Sequence, residues 1–543
     1  LKESTLSCLE SLNLGPNIHS VKLSLNPFKK NISQLPGNSY IFSMNDRTKK
    51  QQIDRMKNFE SHFEKYRKKI IGDGHSYHFP SGYKSIIYAD WAASGRLYKP
   101  IEDYISNELG PYVANTHTES TLTGTVMTSA YHQAHDIIKR HVNASNEDVL
   151  LFAGFGMTAV INKFQRILGL RIPEKYKDKI TVCEDDRPLV IITHMEHHSN
   201  QTTWEECCVD IAILCKKTDG TPNLDHLRSI LDTNRQRSTI IGSFTACSNV
   251  TGIMTPYHEM AEILHEYNRL CFIDFSGSAP YVDMNMHPDN DAQRLDAIFF
   301  SPHKFLGGPG SSGVILFNKN LYHNAVPDHP GGGTVVWTNP WHAHRFFEDI
   351  EIREDGGTPG FLQAIRAALT ILLKEEMGVQ NIMKREHYLV NRLMDKLEKI
   401  DRIVILEPQN RERVAFISFY SFDIHHNLFV RLLNDRYGIQ TRGGCLCAGT
   451  YGHVLLHIDA KKSKEITEKI DHGDLSGKPG WVRISLHPTM LDREIDLIGD
   501  AVQGITDNFT EWQKDYRFNP QIGDYERLDG YLPIKNISEE FIP

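Results

Sequence analysis

The stretch Ala297-Ile-Phe-Phe-Ser301-Pro-His-Lys304-Phe-Leu-Gly-Gly-Pro-Gly-Ser-Ser-Gly313-Val-Ile-Leu-Phe317 holds two short apolar runs joined by a turn of small residues, prolines and glycines. Runs of that length and composition, punctuated in that way, read as strands over 297–301 and 313–317. Working outward, the same pattern predicts strands at 149–152, 189–193, 239–244 and 271–275, with helix-like stretches such as 224–232 and 258–267 between them. Strand and helix in alternation give the α/β class, a mainly parallel sheet covered by helices on both faces. Further on, a long helical pattern at 360–377 and 384–400 leads into a C-terminal α+β segment. Before the sheet, residues 29–69 are polar and lysine-rich, with an amphipathic helix predicted over 51–70. Residues 1–80 are read as an extension that packs on the body or on a partner subunit, 81–365 as a large domain and 366–543 as a smaller one.

The bulk numbers fit that division. A chain of 543 residues, 40% hydrophobic and 24% charged, has ample material for a core and is too long for one compact unit. A formal charge of −8 offers no basic field to hold a phosphate backbone, so a small molecule is expected as ligand and nucleic acid is not. No apolar run approaches the ~20 residues that span a bilayer, so no membrane association is expected. Nine cysteines without framework spacing argue for reduced thiols and a cytoplasmic compartment, with an organelle left open. The first residues carry no apolar run of the secretory type.

Five motifs follow the predicted strands. Lys304 ends a strand, preceded by Ser301 and His303 and followed by glycines, which suits an amine that must be desolvated to reach a bound aldehyde. A solvated surface turn can look the same. Asp274 closes the apolar run Cys271-Phe-Ile-Asp274; a buried carboxylate there needs a cationic partner, and a protonated pyridine nitrogen is one, a helix cap or exposed turn being the alternative. The turn Gly154-Phe-Gly-Met157-Thr158 points free amides and a helix dipole at an anion such as phosphate, although many such turns only turn the chain. In His194-Met-Glu-His197-His198-Ser-Asn200, three histidines in five residues suggest a metal. Ligands from consecutive positions at a strand end rarely converge in a tetrahedron, however, and no Cys/His cluster at zinc spacing stands elsewhere. An imidazole stacked on a planar cofactor is preferred, and no metal is expected. Ser248-Asn249-Val-Thr-Gly252 offers an amide to a phenolic oxygen.

Taken in chain order, these pieces resemble the class V aminotransferases that use pyridoxal 5′-phosphate (PLP), and within them the cysteine desulfurase and selenocysteine lyase branch. The resemblance runs from about Tyr88 to Ala501, opening on Tyr88-Ala-Asp-Trp-Ala92-Ala93, and includes Glu-His-His-Ser-Asn with Trp204, Ser-Asn-Val-x-Gly, Ser-x-His-Lys and Gly356-Gly-Thr358-Pro359. It implies a fold-type I PLP enzyme with a seven-stranded, mainly parallel sheet in its large domain. It also implies that Lys304 carries the cofactor as a Schiff base and shuttles protons, that Asp274 pairs the pyridinium, that His197 stacks on the ring and that Asn249 meets the ring oxygen. The phosphate would be held by the amides of Met157 and Thr158, the Thr158 hydroxyl, Ser301 and His303, with Thr358 from a neighbouring subunit, which implies a homodimer. Where the family usually has glutamine, three residues after Asp274, this chain has Gly277; Ser276 or Ser278, or water, would take that place.

Two C-terminal segments bear on the reaction. Arg483, in Trp481-Val-Arg-Ile-Ser-Leu-His487, matches the arginine that grips a substrate carboxylate, and Arg442, Ala92 and Ala93 join it on the substrate side. Thr441-Arg442-Gly-Gly-Cys445-Leu-Cys447 resembles the segment bearing the persulfide-forming cysteine; counted from Arg442, Cys447 falls on the nucleophile, and the Cys-x-Cys pair also resembles the molybdenum-cofactor sulfurase branch. Either thiol would act as a thiolate near Arg442. The expected activity is removal of sulfur from L-cysteine or a related amino acid through Lys304, His197 and Cys447, with an acceptor protein for the sulfur. Alternatives are a C–S lyase, an aminotransferase or an epimerase without a sulfur-bearing nucleophile. An inactive scaffold subunit would be marked by loss of the lysine or aspartate, and both are present.

Overall fold

The computed structural model describes residues 59–116, 118–183 and 186–531. Seven strands form the central sheet: β1 (Asp148–Ala153), β2 (Leu189–Thr193), β3 (Asp210–Leu214), β4 (Ile240–Thr245), β5 (Leu270–Asp274), β6 (Ala297–Phe300) and β7 (Gly313–Asn318). Their spatial order is β1-β7-β6-β5-β4-β2-β3. β7 alone runs against its neighbours, pairing antiparallel with β1 and β6, while the rest run one way. The glycine-rich turn of the opening stretch makes that reversal.

Both faces of the sheet are apolar, as the near-continuous hydrophobic runs require. Leu150, Ile191, Ile273, Ile298 and Leu316 enter one buried cluster. Their neighbours in sequence, Leu151, Ile192, Phe272, Phe299 and Ile315, enter the other, following the two-residue repeat of a strand. α1 (Leu122–His141) packs against α6 (Phe361–Met377) beside the first cluster. α2 (Met157–Ile167) and α3 (His198–Glu205) lie over the second, where Phe164 meets Phe317 with ring centroids 4.8 Å apart. α4 (Leu224–Thr233) and α5 (Tyr257–Glu266) fall where the sequence predicts helices. β3 and a hairpin of strands Val335–Thr338 and His344–Phe346 are not in the sequence reading.

The C-terminal part carries an antiparallel sheet of β8 (Ile403–Ile405), β9 (Phe416–Ser421), β10 (Arg442–Gly444) and β11 (Trp481–Ser485), in the order β8-β9-β11-β10. α7 (Val379–Leu397) and α9 (Asp492–Trp512) pack together beside it, and α8 (His426–Tyr437) lies against β10. Strand Ile87–Tyr88 pairs in parallel with Ile439–Gln440, so the segment that opens the large part of the chain is stitched into the C-terminal part. Of the helix predicted over 51–70, residues 51–58 lie outside the described residues and 59–67 are helical. Phe63 and Tyr66 are buried, and Arg67 pairs with Glu494 at 2.6 Å, so this segment packs on the body of its own chain. Among the described residues no helix is long and apolar enough to cross a membrane. Among the described residues, Cys183, Cys207, Cys208, Cys247, Cys271, Cys445 and Cys447 are free thiols.

Candidate active site

The carboxyl ends of β1, β2, β4, β5 and β6 open onto one cleft of about 790 Å³, where a sheet of this topology places a ligand. Met157, Thr158, His197, Asn249, Asp274, Ser276, Ser301, His303 and Lys304 line it from the large sheet, and Ala92, Ala93, Arg442, Cys447 and Arg483 from the other side. Thr358 does not line the cleft of its own chain; Asn115 Nδ2 donates to its Oγ1 at 3.2 Å. Cys445 turns away, half-buried against the cluster of Met195, Val250, Leu406 and Trp481.

Lys304 ends the short helical turn Pro302–Lys304 that follows β6. Enclosure by protein pushes its ammonium below the usual lysine range, and the Asp274 carboxylate opposes that shift. An amine with a lowered proton affinity is a better nucleophile near neutral pH. Asp274 is buried at the end of β5, its Oδ1 accepting from the Ser276 amide at 2.8 Å; burial raises its proton affinity, opposed by that hydrogen bond and by Lys304.

The turn from β1 into α2 forms a cradle. Gly154 has φ +49°, and a Cβ added at Gly156 would come within 3.0 Å of His303 Cε1 and 3.2 Å of Ser301 Oγ, so the glycine keeps this space open. Met157 N donates to Ser301 Oγ at 2.9 Å, His303 Nδ1 pairs with the Phe155 carbonyl at 2.8 Å, and Thr158 Oγ1 lies 2.6 Å from Ser199 Oγ. These bonds fix the cradle walls at a helix N-terminus, where the dipole favours an anion.

The three histidines after β2 do three different things. His194 is buried edge-on against Tyr451, with centroids 5.4 Å apart. His197 lines the cleft; its Nδ1 accepts from the Ser199 amide at 3.1 Å, and burial beside Lys304 depresses its pKa to about 3, leaving a neutral ring. His198 holds the cysteine loop, donating its amide to the Cys447 carbonyl at 2.7 Å and accepting from Gly449 N at its Nε2 at 2.9 Å.

That loop is unusual in its backbone. Leu446 and Cys447 both lie in the left-handed region, at φ +53° and +57°, which costs a non-glycine residue roughly 1 kcal/mol each. Besides His198, Asn249 offsets this cost, its Nδ2 donating to the Leu446 carbonyl at 2.7 Å. One of the two Asn249 amide hydrogens is thus committed to the loop. The result is a Cys447 that is exposed and faces the cleft.

Sequence reasoning missed two residues. Asp90 bridges the arginines, its Oδ1 to Arg483 Nη2 at 2.8 Å and its Oδ2 to Arg442 Nε at 3.0 Å. The signal was available: a single acid inside the apolar opening Tyr88-Ala-Asp-Trp-Ala-Ala93. Cys247 is the other. A Cβ at Gly277 would lie 2.7 Å from Cys247 Sγ, so the thiol fills the space that a larger residue at 277 would take. Burial pushes that thiol up to about 12, so it stays protonated. Of the two serines considered as substitutes for glutamine, Ser276 lines the cleft and Ser278 does not.

The family model for aminotransferase class-V matches residues 87–498, most of the chain. The chain belongs to the aminotransferase class-V family. Among its class V relatives, a protein named "Probable cysteine desulfurase" from Halalkalibacterium halodurans is 27% identical over 369 residues, 67% of this chain and 84% of the relative. A "Cysteine desulfurase" from Haloferax volcanii is 24% identical over 368 residues, 67% of this chain and 80% of that one. The apo structure of a cysteine desulfurase from Thermococcus onnurineus superposes with a TM-score of 0.62 at 20% identity, covering 78% of this chain and 95% of that one. The cysteine desulfurase CsdA from Escherichia coli gives 0.62 at 18% identity, over 82% and 98%. These likenesses carry the fold, and this class V chain is a fold-type I α/β protein.

Proposed function

We propose that the chain is a PLP-dependent cysteine desulfurase-like enzyme that takes sulfur from L-cysteine or a related amino acid onto Cys447. The observation that carries this reading is that Lys304 and Cys447 face one cleft from opposite sides, with Arg483 beside them. The residues suit PLP on two structural grounds. The cradle at Gly156 is open at a helix N-terminus for a phosphate, and Asp274 is buried within the electrostatic reach of Lys304, where a protonated pyridine nitrogen would supply a cation. Met157, Thr158, Ser301 and His303 would hold the phosphate, His197 would stack on the ring, and Asn249 and Ser276 would border it.

Bound there, PLP would supply an electron sink for the electrons left when the substrate's α-carbon is deprotonated. The protein's own groups do the rest. Arg483 holds the substrate carboxylate with its planar donors, and Ala92 and Ala93 leave room beside it. Lys304 Nζ takes the proton from the α-carbon. Cys447 Sγ, as thiolate, attacks the substrate sulfur, forming the S–S bond of a persulfide as the C–S bond breaks and its electron pair passes to the β-carbon; the β-carbon then takes a proton, Lys304 Nζ returns one to the α-carbon, and alanine leaves.

Thr358 does not line the cleft of its own chain, which supports a homodimer in which it serves the neighbouring subunit, and the exposure of Cys447 supports hand-over of sulfur to an acceptor protein. The division into residues 81–365 and 366–543 belongs to the same reading. The test is mass spectrometry after brief exposure to L-cysteine. One reducible sulfur should appear on the Cys447 peptide; Cys447→Ser should abolish alanine formation while Cys445→Ser keeps it. Sulfide and pyruvate from both variants would instead mean a C–S lyase.

A further inference from the structure

We infer that Asp90 sets the charge specificity of the cleft, cancelling one of its two arginines so that the site accepts a monocarboxylate and disfavours a dicarboxylate. The inference deepens the proposed function and rests on its reading of Arg483 as the carboxylate seat. Arg442 and Arg483 are direct partners across β10 and β11, so both project on one face of the sheet, and both line the cleft. Like charges directly opposite in an antiparallel pair are unfavourable unless something compensates them. Asp90, 8% exposed, divides its two oxygens between them.

The carboxylate is not needed to anchor its own loop. Ser485 N already donates to the Ala89 carbonyl at 2.8 Å, and Ala92 N donates to Ser485 Oγ at 3.0 Å. What Asp90 adds is charge and direction. Arg483 is 3% exposed; its Nη1 donates to the Asn249 carbonyl at 2.9 Å and its Nη2 to Asp90, while its Nε has no partner among the described residues. A buried, unpaired donor of this kind is costly to leave without an acceptor. The Asp90 bridge therefore fixes the guanidinium with one edge unused and leaves one uncompensated positive charge on the pair, enough for one carboxylate. Asp90 is a positioning residue that acts through the arginines.

The experiment uses the full chain loaded with PLP and two probes of equal carbon number, propionate and malonate, with binding read by calorimetry. Asp90→Asn should shift the malonate-to-propionate affinity ratio toward malonate by about tenfold or more, because a second arginine becomes available. Adding Arg442→Gln to Asp90→Asn should return the ratio to the parental value, a rescue that a purely structural role would not give. An unchanged ratio in Asp90→Asn, or no return in the double variant, overturns the inference. Should Asp90→Asn fail to fold, Arg442→Gln alone decides: Asp90 then cancels Arg483, and propionate binding should weaken about tenfold. Undiminished propionate binding overturns it. A parent chain that binds neither probe removes the carboxylate seat and the inference with it; a parent that binds both with no effect of Asp90 leaves the seat standing and removes Asp90 alone.

Discussion

Lys304 and Arg483, which both line the cleft, sit in contrasting surroundings. Lys304 is held below its ordinary proton affinity, and Arg483 is held rigid by two fixed acceptors. Two outcomes follow at this scale. Borohydride treatment of the PLP-loaded protein should attach the cofactor covalently to Lys304, and Lys304→Ala should lose that attachment; cofactor still trapped in the variant, seen by peptide mass, would refute the assignment. Arg483→Ala should weaken amino-acid binding by about 2 kcal/mol or more while leaving the cofactor in place, because it removes a charge-assisted contact without touching the cradle. A spectral titration checks this, and undiminished affinity contradicts it. Lys304, Asp274 and Cys447 could be picked out in the sequence because the first two close apolar strand runs and the third stands in the glycine-rich segment after Arg442. Asp90 also stands alone in an apolar segment, but its role could not be read, since that depends on two arginines more than 350 positions away that only the folded sheet sets opposite it.

Among the elements, six of the seven strands of the central sheet could be read from their apolar runs and turn residues. β3 escaped because Asp210–Leu214 is an edge strand, half-buried for most of its length, whose pattern is weaker than that of its neighbours. The backbone conformation of the cysteine loop escaped for another reason. Two consecutive left-handed residues are normally announced by glycine or asparagine, and here they are Leu446 and Cys447, held by partners distant in sequence. If Asn249 is one of the restraints, Asn249→Ala should raise amide hydrogen exchange at residues 445–449 relative to the parent while exchange in β4 and β5 stays slow. Equal protection in parent and variant would show that His198 alone holds the loop.

For the molecule as a whole, buried histidines contribute to its response to acid. Burial, the largest cause in each case, lowers His141, His194, His197, His426 and His487 to about 3 and His303 to about 4. A histidine whose pKa is lower when folded binds fewer protons in the native state. Its contribution to stability is therefore full above the unfolded value of about 6.5 and is lost as pH falls toward 3–4. Thermal melts should show the midpoint falling steadily between pH 7 and pH 5, and His194→Phe, which removes one such group, should flatten that slope; a midpoint independent of pH over this range would exclude the effect. The pairing of Ile87–Tyr88 with Ile439–Gln440 has a temporal consequence as well. On the ribosome, Lys304 emerges long before β10 and β11 exist, and at ordinary elongation rates the interval is on the order of ten seconds or more. During that time a nascent chain displays Lys304 without Arg442, Arg483, the cysteine loop or the strand Ile439–Gln440 that pairs with Ile87–Tyr88. Assembly of the cleft is thus an event near the end of synthesis, and a chain truncated before Trp481 would keep Lys304 while lacking Arg483 on the other wall of the cleft.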